Sequence, residues 1–160
     1  MKKIVCFLLS MTMLFGCFGM STQAEEAIYP RGSHAYVQTE DYASDEWNVD
    51  LRGAYLNSGT SVISREAVNR INISGSTIAG RICDQVRLIL YVERSTSYAT
   101  GYSTYKTYTF VEDDVYEVTK GISNIPVERG YYYRVYGVHS VTHNGVIETT
   151  DTLTNPLDYR

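Results

Sequence analysis

From about Leu51 onward, polar and apolar residues alternate with a period of two, the pattern of strands that bury one face. The clearest run is 84–94, where Val86, Leu88, Leu90 and Val92 share one face and Gln85, Arg87, Tyr91 and Glu93 the other, with Ile89 the one exception. Runs over 52–63, 69–78, 102–111, 114–119, 131–142 and 146–153 are rich in Thr, Val, Ile and Tyr, residues that suit a pleated, half-buried surface. Turn formers separate them: Ser58-Gly59, Ser95 to Gly101, Glu112-Asp113-Asp114, Lys120-Gly121 and Asn144-Gly145. Asn144-Gly145 is the strongest, because Asn-Gly between alternating runs favours a two-residue hairpin with positive φ at both positions. The best helical stretch, 64–70, is too short to compete. The expectation is an all-β chain whose residues 51–160 form a single antiparallel β-sandwich of about seven strands.

The pattern changes before residue 51. Residues 25–50 hold Glu40, Asp41, Asp45, Glu46 and Asp50 with no sustained period, and are expected to form an acidic, partly ordered arm or linker. Their acids lack the alternating spacing and central Gly of a calcium loop. Residues 1–24 read as a signal peptide: Lys2-Lys3, an uncharged apolar stretch from Ile4 to Met20, then small residues at Thr22 and Ala24 that place cleavage after Ala24. The expectation is a secreted, extracellular protein with no transmembrane segment once the leader is removed. Leu14-Phe15-Gly16-Cys17 also resembles the lipobox of bacterial lipoproteins. The alternative localisation is therefore lipid anchoring through Cys17 on the outer face of the membrane.

Composition narrows the function classes. The 160 residues are 44% hydrophobic and 20% charged, which supports one packed domain. A net charge of −4 argues against a phosphate-binding surface, so no nucleic-acid partner is expected. Of the three cysteines only Cys83 lies beyond the leader, so the fold must hold without a disulfide. Tyrosine is over-represented, with 15 residues against four Phe and one Trp.

The run Ile125-Pro126-Val127-Glu128-Arg129-Gly130-Tyr131, continuing Tyr132-Tyr133-Arg134-Val135-Tyr136-Gly137-Val138, resembles the penultimate strand of fibronectin type III and immunoglobulin-like sandwiches. The resemblance implies that Tyr131 makes the tyrosine corner, its hydroxyl bonding backbone just upstream. It also implies that Tyr131, Tyr133, Val135 and Gly137 face inward, with Tyr132, Arg134 and Tyr136 outward. More broadly, residues 52–155 resemble an uncharacterised family of small secreted proteins of Gram-positive, clostridium-like bacteria. The segments that carry this are Leu56-Asn57-Ser58-Gly59-Thr60, Ile71-Asn72-Ile73-Ser74-Gly75-Ser76, Cys83-Asp84-Gln85-Val86, Gly130 to Val135 and Gly137 to Thr142. That family brings no catalytic residue with it.

Candidate chemistry is thin. There is no Gly-x-Ser-x-Gly elbow for a serine hydrolase. His34 lies in the arm, His143 abuts the hairpin turn, and His139 falls on the inward alternation, where a structural histidine is expected. Cys83, entering the most apolar strand, is expected as a buried small hydrophobe rather than a nucleophile or cross-link. No spacing selects a carboxylate pair from Glu93, Glu117 and Glu148 for glycoside hydrolysis. Glu112-Asp113-Asp114 with Glu117 reads as an acidic turn, not a calcium site. No catalytic residue, cofactor or metal is expected. The tyrosines remain: outward Tyr132 and Tyr136 are the candidate ligand-binding residues, because exposed aromatics stack on sugar rings or anchor a protein partner. The function expected is a non-enzymatic binding module for cell-wall or environmental polysaccharide. A protein-interaction or assembly module is the alternative, and an extracellular hydrolase the remote one.

Overall fold

The computed structural model describes residues 27–50 and 55–160, so the leader and Cys17 lie outside the described residues. Among the described residues eight strands follow one another: β1 (Gly32–Gln38), β2 (Tyr42–Val49), β3 (Leu56–Ala67), β4 (Arg70–Ser95), β5 (Ser103–Pro126), β6 (Tyr132–His143), β7 (Val146–Leu153) and β8 (Leu157–Asp158). All the pairings between them are antiparallel. The main path runs β1-β2-β3-β4-β6-β7, with β5 on β4 and β8 on β6. This is the all-β antiparallel class the alternation predicts.

Strand β4 explains the curl of the sheet. Its first half, through Ile78, pairs with β3 and the end of β5; its second half, from Cys83, pairs with the start of β5 and with β6. Between them the ladder slips: Ile78 lies opposite Glu117, and Cys83 opposite Val115. The extra residues in β4 form a wide bulge, and a bulge bends and twists the strand that carries it. Gly80 N–H there reaches Tyr55 C=O at 2.8 Å. The two halves of the sheet therefore face each other over one core built from Leu56, Ile63, Ile71, Val86, Leu88, Leu90, Tyr133 and Val135.

Several turn expectations fail at this level. Residues 69–78 and 84–94 belong to one strand, and so do 102–111 and 114–119. Glu112-Asp113-Asp114 and Lys120-Gly121 lie inside β5, with Asp114 at φ 56 kinking the strand rather than reversing it. Ser58-Gly59 lies inside β3. Gly59 is needed there because a Cβ would stand 2.5 Å from the His139 ring. Asn144-Gly145 is the hairpin turn expected, with positive φ at both residues.

Within the acidic arm expected over 25–50, residues 32–49 instead form a hairpin of the sheet. β2 pairs with β3 from Tyr42↔Ser64 to Asn48↔Ser58 and adds Ala43 and Trp47 to the core. A boundary at residue 51 therefore does not separate an arm from a domain. Local alternation fails to mark β2 because its buried positions include Ser44 and Asp45. Asp45 is fully buried; its carboxylate accepts the Leu153 N–H at 2.7 Å and faces His34 Nδ1 at 3.0 Å.

The tyrosine corner is present, made by Tyr133 rather than Tyr131. The Tyr133 hydroxyl accepts from Glu128 N–H at 2.9 Å and donates to Glu128 C=O at 3.1 Å. Tyr133, Val135, Gly137 and His139 are buried in alternation, so the predicted phase of β6 is correct from Tyr133 on. Tyr131 is only half-buried and packs edge-on against Tyr133 at 6.3 Å.

A candidate binding face and a buried polar line

Outward residues of β6 meet those of β4 and β5 on one face of the sheet. Register pairs Tyr136 with Tyr91 and Arg134 with Glu93. The two tyrosine rings stack with centroids 5.8 Å apart and planes 28° from parallel, an offset arrangement suited to aromatic pairs. With Glu93, Thr104 and Val138 they line a shallow groove of about 360 Å³. Burial pushes the Tyr136 hydroxyl's pKa above its ordinary value, and nearby Asp151 adds to the effect, so the hydroxyl stays a neutral donor. Next along the strand, Arg134 Nε donates to Glu93 at 2.7 Å, and its guanidinium lies over the Tyr102 ring at 3.8 Å. The groove thus has an aromatic floor and a fixed charged rim, which is chemistry for a ring with an apolar face and polar edges.

Tyr132 is placed differently from the expectation. It points outward by alternation but is only 8% exposed, because Tyr98 packs edge-on at 5.5 Å and Arg160 lies over its ring at 4.5 Å. The aromatic exposed at that end is Tyr98, at 51%. Its neighbour across the strands could not be read from local sequence, since Arg160 and Tyr98 are brought to Tyr132 by the closing strand β8 and the 96–101 loop. Tyr132, Tyr98, Arg65, Glu40 and Asp158 border a separate polar pocket of about 400 Å³. Tyr132 and Tyr136 therefore belong to two sites, not one. Sequence reading missed Tyr91 as the partner of Tyr136; cross-strand register decides it. A larger shallow cavity of about 510 Å³ lies outside the β4–β5 corner, against Ile82, Tyr116 and Lys120.

The histidines fall apart in space. His139 is fully buried and sits in a chain of hydroxyls that crosses between the facing halves of the sheet. Thr77 Oγ1 donates its single proton to Arg87 C=O at 3.0 Å, so it accepts from His139 Nδ1–H at 3.0 Å. That leaves Nε2 to accept from Thr152 Oγ1 at 2.8 Å, and Thr152 in turn accepts from Ser61 Oγ at 2.6 Å. Burial lowers the His139 pKa to about 4, opposed by a hydrogen bond that the imidazole donates to the Ser76 backbone. A neutral imidazole held on both nitrogens inside the core is structural. Gly137 is required beside it, since a Cβ there would collide with Ser61 Oγ.

His34 and Asp45 form a pair of catalytic appearance, yet no hydroxyl or thiol is hydrogen-bonded to His34 Nε2 among the described residues. Cys83 is 1% exposed, and burial followed by the charge of Asp84 raises its thiol pKa, so it is a protonated core residue. Among the described residues there is no cluster of three metal-ligating side chains, and no helix long and apolar enough to cross a membrane.

No curated protein matches the chain. A model of a family of unknown function, DUF6147, matches residues 21–157, a span that takes in the β1–β2 hairpin together with the rest of the sheet, and the chain belongs to that family.

Proposed function

We propose that this protein is a secreted, non-enzymatic binding module whose outer sheet face takes a polysaccharide of the cell wall or the surroundings. The observation that carries the reading is the stacked Tyr91–Tyr136 pair flooring a groove between Glu93, Thr104 and Val138. A pyranose presents an apolar face that can lie on such rings and hydroxyls that hydrogen-bond to carboxylate and guanidinium at the rim. Secretion rests on the leader-like residues 1–24. The tyrosine corner at Tyr133 supports a relationship to the fibronectin type III sandwich.

Co-sedimentation with washed cell walls and insoluble polysaccharides, at low and high salt, tests the reading. The expected result is salt-resistant pelleting that Tyr91→Ala and Tyr136→Ala each weaken about tenfold, equivalent to ~1.4 kcal/mol. No pelleting at either salt, or pelleting that both variants retain, refutes it.

A further inference from the structure

An antiparallel sheet with unclosed edges must manage its unpaired backbone groups. This sheet treats its edges unequally. Along its free side β5 carries Lys106, Glu112, Asp113, Asp114, Glu117 and Lys120, and it is broken by positive φ at Asp114 and Asn124. Such charges and kinks block strand addition. The outer side of β7 is partly occupied by the chain itself: Ile28 bridges it in parallel, giving its N–H to Ile147 C=O at 2.7 Å and accepting from Thr149 N–H at 2.8 Å. β1 has neither protection. Its sequence, Gly-Ser-His-Ala-Tyr-Val-Gln, contains no charged residue, and its only strand partner among the described residues is β2. Tyr36 and Val37 are 58% and 54% exposed.

The backbone directions on β1 are fixed by its ends. Arg31 C=O accepts from Asp50 N–H at 2.9 Å, and Thr39 N–H donates to Tyr42 C=O at 2.7 Å. The register between these points is unbroken. Odd-numbered residues therefore turn their N–H and C=O to β2, and Gly32, His34, Tyr36 and Gln38 turn theirs to the open side.

We propose that two copies of this chain associate by antiparallel pairing of β1 with β1, with Ala35 on the two-fold axis. Only that register overlaps the whole strand. It sets Gly32 opposite Gln38 and His34 opposite Tyr36, so all four outward-facing residues of each copy meet outward-facing residues of the other. Ala35 faces its own counterpart in a pair without hydrogen bonds, where side chains come closest and a methyl fits. His34 and Tyr36, already stacked at 5.8 Å within one copy, continue as a single aromatic row across the axis. The strand ends are also complementary. Arg31 precedes β1 and Glu40-Asp41 follows it, so antiparallel addition brings the cation of each copy beside the acids of the other. A second copy satisfies this pattern at both ends at once.

Sedimentation equilibrium of the purified protein over a wide concentration range is expected to show a monomer–dimer equilibrium. Tyr36→Pro removes an N–H that faces away from β2, a position where an edge strand tolerates proline. It is expected to raise the dimer dissociation constant about tenfold or more while leaving the circular dichroism unchanged. Ala35→Cys tests the register without disturbing any hydrogen bond. The axis brings the two residues about 4.5 Å apart at Cα, within disulfide range, so mild oxidation is expected to give a covalent dimer. Ser33→Cys is expected to give none, because it faces Val37 of the other copy. A monomer at every concentration, a dimer indifferent to Tyr36→Pro, or cross-linking as efficient through Ser33→Cys as through Ala35→Cys would overturn the proposal. None of these outcomes bears on the Tyr91–Tyr136 groove, which lies on other strands.

Discussion

Acid should weaken this fold through one residue more than any other. His139 is neutral in the native core, its pKa lowered to about 4 by burial, whereas in the unfolded chain it titrates at histidine's ordinary value of 6.5. The unfolded state thus binds a proton that the folded state refuses, and stability falls as pH drops from 6.5 toward 4. Above pH 6.5 both states are neutral and the contribution is fully present. Over the window the loss from this residue is about 3 kcal/mol, at about 1.4 kcal/mol per pKa unit. The hydrogen bonds explain why the core does not simply accept the proton. A proton on Nε2 would point at Thr152 Oγ1, whose own proton now points at Nε2, so Thr152 would have to rotate toward Ser61 and disturb the donor sequence that begins there. Urea unfolding at pH 7.5, 6.5, 5.5 and 4.5, comparing the native chain with His139→Gln, isolates the effect, because His34 and His143 are common to both. The native chain is expected to lose about 3 kcal/mol more than the variant between the ends of the window. Parallel pH profiles, or the His139 imidazole itself titrating near 6.5 in the folded protein by NMR, would refute the reasoning.

Other substitutions test other parts of the fold. Tyr133→Phe leaves both Glu128 backbone groups without the hydroxyl and is expected to cost about 1–3 kcal/mol by chemical denaturation, with the Tyr91–Tyr136 groove unaffected. Gly59→Ala drives a methyl against the His139 ring and should destabilise by about 1–3 kcal/mol, seen as a lower melting temperature. Asp45→Ala strips the Leu153 N–H of its acceptor and frees His34; faster hydrogen exchange confined to β1 and the end of β7 is the expected signature. Tyr132→Ala opens the space beneath Tyr98 and Arg160, so it should lower stability, in contrast to Tyr136→Ala, which should lower binding.

Local pattern by itself determined much of this protein. Strict alternation marks the second half of β4 because that segment buries one face along its whole length, and Asn144-Gly145 marks its hairpin because two consecutive positive φ angles suit few other pairs. The phase of β6 is legible for the same reason, as is the burial of Cys83 and His139. Tertiary structure decided the rest. Gly and acidic residues look alike in a turn, a bulge or a close approach, so only the packing shows that Gly59 makes room for His139 and that Asp114 kinks a strand without ending it. β2 is hidden from periodicity because what it buries includes a carboxylate, and that carboxylate is satisfied by His34 and by Leu153, a residue far along the chain. The candidate groove belongs to the same class. Tyr136 can be picked out from its own strand, but its partner Tyr91 and the cover over Tyr132 follow from strand register and from the chain's last residues, which no local window contains.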